Sequence, residues 1–264
     1  MRTGSLRLGS IATWAVLVFL LAPLVVIVAA SVGAGGYLTF PPQGFSLKWY
    51  AKAVTTEGFV RGFRVSFLVG LAAAAGAAVL GVGAAVAITR HRFPGKAAVE
   101  GVLLAPLVVP HIVTGIALLG LFTTLRAPYS LWRLILAHLI ITVPYVVRTV
   151  AAGLHDQDPS LEEASLNLGR THLQTFLHVT LPLILPCLLA GSIFAFIISF
   201  ENYIISVFLA GPSYATLPME LYGYMQYITD PALAALSTML LAITVGLMLA
   251  LDRLFGIDRL TLFR

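Results

Sequence analysis

The sequence predicts an all-α integral membrane protein with six transmembrane helices, and three observations carry that prediction. Of 264 residues, 59% are hydrophobic and only 10% are charged, where soluble domains carry about 25% charged residues. Six apolar stretches are each long enough to cross a hydrocarbon core, which takes roughly 20 helical residues. The basic residues also fall unevenly between the loops, as the positive-inside rule requires. With six spans, ten Lys and Arg lie on the cytoplasmic side (Arg2, Arg7, Arg90, Arg92, Lys96, Arg148, Arg170, Arg253, Arg259, Arg264) and six outside (Lys48, Lys52, Arg61, Arg64, Arg126, Arg133). Both termini are then cytoplasmic. The net charge of +5 belongs to this topology, so no nucleic-acid partner is expected. Cys187 is the only cysteine, which excludes an internal disulfide framework. No internal repeat or long low-complexity run divides the chain, so residues 1–264 are read as a single transmembrane domain.

The first span runs from about Ser10 to Val32. Its basic start and Ala29-Ala30-Ser31 also fit a cleaved signal peptide, but the apolar stretch is longer than a signal core of roughly 7–15 residues. A Gly- and Pro-rich loop follows, ending in Phe45-Ser46-Leu47-Lys48-Trp49-Tyr50, whose aromatics suit the membrane interface. The second span, about Phe63 to Ile88, is rich in Ala and Gly, which let membrane helices approach closely. The basic loop Arg90-His91-Arg92-Phe93-Pro94-Gly95-Lys96 comes next.

The third span is about Val99 to Leu125 and holds Pro106, Pro110, His111 and Gly115. A proline there kinks the helix and frees a carbonyl, tolerated where protein or a wet cavity satisfies it. Pro110 and His111 therefore either line a pathway or form a kink with His111 bonded to a neighbouring helix. The fourth span, about Leu131 to Leu154, contains His138, read as an interhelical hydrogen-bonder, and Arg148. The fifth is about Leu183 to Leu209 and carries Phe200-Glu201-Asn202-Tyr203. Glu201 would lie roughly 30 Å along a straight helix from Leu181 at 1.5 Å per residue. Intramembrane carboxylates face the bundle interior or a wet cavity, so Glu201 either lines a translocation path or pairs structurally with a basic residue. An outer loop, residues 211–222, precedes the sixth span at about Ala232 to Leu251.

Between the fourth and fifth spans lies a polar stretch with its own helix signals. Asp158-Pro159 reads as an N-cap with proline at the first helical position; Ser160 with Glu163 offers an alternative capping box. Gly169 ends this short helix. Thr171 and Gln174 form a second capping signature, and the helix they open joins the fifth span directly.

Glu163-Ala164-Ser165, three residues, Gly169, nine residues and Val179-Thr180-Leu181-Pro182 together resemble the EAA loop of ABC importer permeases, E-A-A-x3-G-x9-I-x-L-P. Ser165 and Val179 are its two mild departures. Phe-Ser-x-x-Trp-Tyr at 45–50, Arg-x-Arg-Phe-x-Gly-Lys at 90–96 and Gly-Pro-Ser-Tyr-x-x-Leu-Pro at 211–218 resemble the spermidine/putrescine permease group. His111 stands where that group often has Asp. The resemblance implies a type I permease fold with a cytoplasmic coupling helix that docks on an ATPase through Glu162, Glu163, Ala164, Ser165, Leu168 and Gly169. It implies a second permease chain, an ATP-binding subunit dimer and an extracytoplasmic solute-binding protein, all at a bacterial inner membrane among its lipids. Pro110, His111, Phe200, Glu201, Asn202 and Tyr203 are the candidate translocation residues, and a polyamine is the solute the resemblance implies, with ferric iron, aminoalkylphosphonates and sugars as alternatives.

The chain has no G-x-x-x-x-G-K-[ST] loop, so ATP and Mg are expected on the partner ATPase, with no catalytic residue, metal or cofactor on this chain. A secondary transporter would need inverted repeats or a self-contained ion site; a membrane enzyme would need a catalytic dyad. Neither pattern is present.

Overall fold

The computed structural model describes residues 3–255; Arg2, Arg259, Arg264 and the side chain of Arg7 lie outside that description. In chain order the helices are α1 (Thr3–Ser31), α2 (Lys48–Thr55), α3 (Glu57–Arg90), α4 (Lys96–Leu104), α5 (His111–Thr124), α6 (Leu131–His155), α7 (Ser160–Asn167), α8 (His172–Thr175), α9 (Leu181–Phe200), α10 (Tyr203–Leu209), α11 (Leu217–Tyr227) and α12 (Ala232–Phe255). Short 3₁₀ turns occupy Ala105–Leu107 and Pro212–Tyr214, and a π turn occupies Phe176–Thr180. There is no strand among the described residues.

Among the described residues, five unbroken helical stretches are long and apolar enough to cross a membrane, and a bent pair counted as one span supplies a sixth. Two expected spans need correction. The third is broken: Lys96–Leu107 and His111–Thr124 meet at 106°. Pro106 sits in the 3₁₀ turn, and Pro110, with ψ 135°, starts α5 from an extended backbone. The fifth begins earlier and ends earlier than expected. It runs unbroken from His172 to Phe200 and stops at Glu201, because Asn202 leaves the helical region and caps a new helix. The outer loop at 211–222 is also partly helical, since Pro218 and Glu220 favour the first turn of α11.

The described residues fold as two compact units, one formed by residues 3–60 with Leu221–Gly246, the other by Arg61–Glu220 with residues 247–255. In the first unit, Trp49 packs with Ala232, Ala235 and Tyr50 and donates its indole N–H to the Gly33 carbonyl at 2.9 Å. Asp230 gathers Lys52 at 2.5 Å, the Tyr224 hydroxyl at 2.8 Å and the Ala232 amide at 3.0 Å. Burial opposes ionisation of Asp230, but these donors outweigh it and hold its pKa below the usual carboxylate value. The bond to Asp230 raises the Lys52 pKa in return.

The depressed carboxylate stabilises the fold above its unfolded pKa, and that contribution is lost as pH falls through the native value. Asp230→Asn is therefore expected to cost about 1.5–3 kcal/mol at neutral pH, the usual worth of a hydrogen bond to a charged group. The deficit should vanish in acid, where wild-type Asp230 is itself protonated; thermal unfolding of the two proteins across that range checks both statements.

In the second unit, α6 and α9 form the central pair. Val146, Val150, Leu154, Ile184 and Ala195 build one cluster with Ala74, Ala77, Val82 and Ala85 of α3. Leu134, Ala137 and Ile141 of α6 build another with Val69, Leu118, Phe122, Ile205 and Leu209. Lipid supplies no hydrophobic drive between helices, so close approach at small residues does that work. A Cβ on Gly81 would stand 2.8 Å from the Val146 side chain, which shows how tightly α3 meets α6. Thr89, Thr142, Thr149 and Ser192 return their hydroxyls to carbonyls four residues back, so no hydroxyl among these four is left bare in apolar surroundings. Ser130 opens α6 by accepting from the Arg133 amide. The Arg133 side chain, counted among the outer basic residues, is buried against Tyr129 and Phe122, 4.3 and 5.2 Å from their ring centres.

Candidate functional site: a docking element and two helix breaks

The stretch from Asp158 to Thr180 is built by local signals. Asp158, rather than the Ser160–Glu163 box, caps α7: its Oδ1 accepts from the Ser160 amide at 2.9 Å. At the other end Gly169 takes φ +87°. Its amide donates to the Leu166 carbonyl at 2.9 Å and the Arg170 amide donates to the Ser165 carbonyl at 3.3 Å, the paired bonds of a Schellman stop. Thr171 and Gln174 then exchange side-chain and backbone bonds at 3.3 and 3.0 Å, closing a capping box over α8. The π turn carries this helix into α9 as one rod from His172 to Phe200.

The six candidate docking residues divide between two faces. Glu163, Ala164, Leu168 and Gly169 are exposed, and Leu168 is 86% exposed. Leu161 and Leu173 are exposed as well. Glu162 and Ser165 turn the other way. Glu162 Oε1 accepts from Arg90 Nε at 3.2 Å and from the Thr180 hydroxyl at 3.1 Å. Ser165 Oγ lies 3.0 Å from Thr175 Oγ1 in a buried contact. These bonds place the basic loop after α3 and the α7 turn at the same end of the unit. A cavity of about 290 Å³ lies beside them, lined by Val86, Arg90, Glu162, Leu166, Thr175 and Phe176 among others.

The second constellation joins the two helix breaks. Asn202 Oδ1 accepts from the Ile205 amide at 2.8 Å, capping α10, and its Nδ2 lies 3.0 Å from His111 Nδ1 at the start of α5. The Asn202 carbonyl accepts from Ser206 Oγ at 2.7 Å. Having spent its proton there, Ser206 Oγ accepts from His138 Nε2 at 3.2 Å. Fully buried His138 is thus the Nε2–H tautomer, and its Nδ1 accepts from Ser199 Oγ at 2.8 Å. The side-chain polar groups of this His111–Asn202–Ser206–His138–Ser199 network are hydrogen-bonded to one another, which makes it a rigid seam between α5, α6, α9 and α10.

Of the six candidate pathway residues, the structure brings His111 and Asn202 into direct contact. Pro110 is exposed one residue before, and Tyr203 is half-buried one residue after. Phe200 meets Phe196 at a tilt and Phe63 edge to face, 5.5 and 5.7 Å between ring centres, and Phe196 continues edge to face to Phe67 at 5.8 Å. Glu201 caps the C-terminus of α9, is exposed, and pairs with no basic residue among the described ones. Sequence reasoning passed over Ser199, Ser206 and the phenylalanine ladder. The i, i+4 spacing of Phe63 with Phe67 and Phe196 with Phe200 was the available signal.

Residues 77–257 match the family of binding-protein-dependent transport system inner membrane components. The chain is 33% identical over 233 residues to the putrescine transport system permease protein PotI of Escherichia coli K12, covering 84% of this chain and 82% of that one. It is 31% identical over 247 residues to the spermidine/putrescine permease protein PotC of the same organism, covering 94% and 93%. In architecture it is similar to a chain of a bacterial ABC transporter that imports the acidic polysaccharide alginate, with TM-score 0.74 at 14% identity over 97% of this chain and 99% of that one. The broken spans, the Gly169 turn and a family match over most of the chain lead to one conclusion: this protein belongs to the binding-protein-dependent inner-membrane transport components, the permease subunits of ABC importers.

Proposed function

We propose that this chain forms half of the translocation pathway of a polyamine importer. The observation that carries the solute class is Glu201 at the break between α9 and α10. Its carboxylate is added to the negative, carbonyl end of α9, whose dipole favours a cation, while Asn202 covers a donor at the start of α10. The adjoining rings of Phe200, Phe196, Phe63 and Phe67 suit a chain of methylenes between amines, by apolar contact and cation–π attraction. The identity to putrescine and spermidine/putrescine permeases supports the same class.

The remaining parts follow from the family. A second permease chain completes the pathway, and an extracytoplasmic binding protein delivers the solute. An ATP-binding subunit dimer docks from the cytoplasm on the exposed face of α7, around Glu163, Ala164, Leu168 and Gly169. ATP and Mg are used on that dimer, and this chain binds no cofactor and performs no catalysis. Both termini lie in the cytoplasm of a bacterial inner membrane, and residues 1–264 act as one permease domain.

The test is solute-stimulated ATP hydrolysis by the reconstituted importer with its binding protein, against spermidine, putrescine, aminoalkylphosphonate and ferric ion. Stimulation by the polyamines alone is expected; stimulation only by a solute without amines overturns the class. Glu201→Gln should lower polyamine uptake about tenfold, the worth of one partly desolvated charge contact, with recovery of the ATPase subunit unchanged. Unchanged uptake removes Glu201 from the path.

A further inference from the structure

We infer that Arg90, Glu162 and Thr180 form the joint that carries movement of α7 into the membrane helices, and that Glu162 is a positioning residue outside the ATPase contact. The inference rests on the importer reading above and deepens it. Arg90 is the last residue of α3, and Thr180 is the last residue of the π turn before α9. One carboxylate oxygen of Glu162 holds both, at 3.2 and 3.1 Å. A short helix of eight residues therefore grips the end of α3 and the turn that leads into α9 through a single partly buried group. Bonds to charged groups are the stronger kind, so displacement of α7 pulls on α3 and α9 together.

Three features allow the joint a second arrangement. Arg90 Nη2 is buried and has no hydrogen-bond partner, so the guanidinium holds Glu162 through Nε alone and keeps a donor in reserve for a bidentate grip. The cavity of about 290 Å³ is lined by Arg90, Glu162 and Thr180 together with Leu166 and Phe176, so space adjoins the joint for α7 to tilt. The π turn adds a place where the helix register shifts without unfolding. Switching transitions run between discrete packings of this sort.

The complete importer is reconstituted with variants of this chain, and three quantities are read: ATPase subunit recovered with the chain, basal ATP hydrolysis, and polyamine uptake. Glu162→Ala is expected to leave the first two within about twofold and to lower uptake about tenfold, near the upper range for lost coupling. The reversed pair, Arg90→Glu with Glu162→Arg, should return uptake to within about threefold of wild type, because residues in contact couple and the charges again attract. Loss of ATPase recovery in step with uptake would place Glu162 on the docking face and overturn the joint. Unchanged uptake would overturn it too, as would a reversed pair that inserts normally without restoring uptake. If Glu162→Ala does not insert, Glu162→Gln, which keeps the shape and an acceptor oxygen, is judged by the same readings. A wild-type complex that recovers no ATPase or takes up no solute overturns the importer reading itself, so the two failures are separable.

Discussion

Gly191→Leu is expected to abolish recovery of the folded permease. Gly191 lies in α9 where it crosses α6, and a Cβ there would stand 3.1 Å from Val146 Cα and overlap Thr149 Oγ1. Thr149 can turn away, but the Val146 backbone belongs to the central helix and cannot. The helices must separate, which loosens Val146, Val150, Ile184 and Ala195 at once. Overpacking costs about 1–3 kcal/mol for an added methylene or so, and a whole leucine at a backbone crossing exceeds that. Lipid offers no compensating drive to close the gap. The check is the monodisperse fraction in detergent together with the unfolding temperature, with Gly83→Leu as control, since a Cβ on Gly83 meets nothing within 4 Å. Equal yields for the two variants would show that the α6–α9 crossing does not hold the fold.

Gly169 should give a graded series. Its φ of +87° lies where side chains clash with the backbone, at about 1–2 kcal/mol for most residues, with more for β-branched ones. Asn tolerates the conformation and should come close to wild type in uptake; Ala should lose several-fold, and Val at least about tenfold, as these costs convert at 1.4 kcal/mol per decade. A Cβ at Gly169 meets no neighbour within 4 Å, so packing contributes nothing to the ranking. The loss should appear in ATPase recovery, since undoing the turn changes how α7 is presented. Valine at wild-type recovery and uptake would show that the Schellman stop is dispensable.

Much of this was legible in the residues because it is local. Asp158, Gly169, Thr171 and Gln174 act on amides within three residues of themselves, so their types and spacing suffice to place caps and stops. The spans were legible because composition over twenty residues decides whether a helix can sit in lipid. The breaks were not. Pro106 and Pro110 announced a kink, but the 106° bend depends on what α5 packs against. Asn202 is a good N-cap by type, yet the apolar runs on either side of Glu201 and Asn202 read together as one span and concealed the end of α9. What selects the break is the bond from Asn202 to His111 and the serines around His138, all but Asn202–Ser206 distant in sequence.

Composition and local motifs were enough for the membrane fold, its apolar spans, the Gly-turn element and the family. Which way Glu162 and Glu163 each face was settled by packing. Adjacent residues on a helix point about 100° apart, and no local signal distinguishes two neighbouring glutamates. Arg90 at the end of α3 and Thr180 below α9 turn one carboxylate inward and leave the other exposed, because charge and hydrogen bonding are settled by whatever the fold brings alongside.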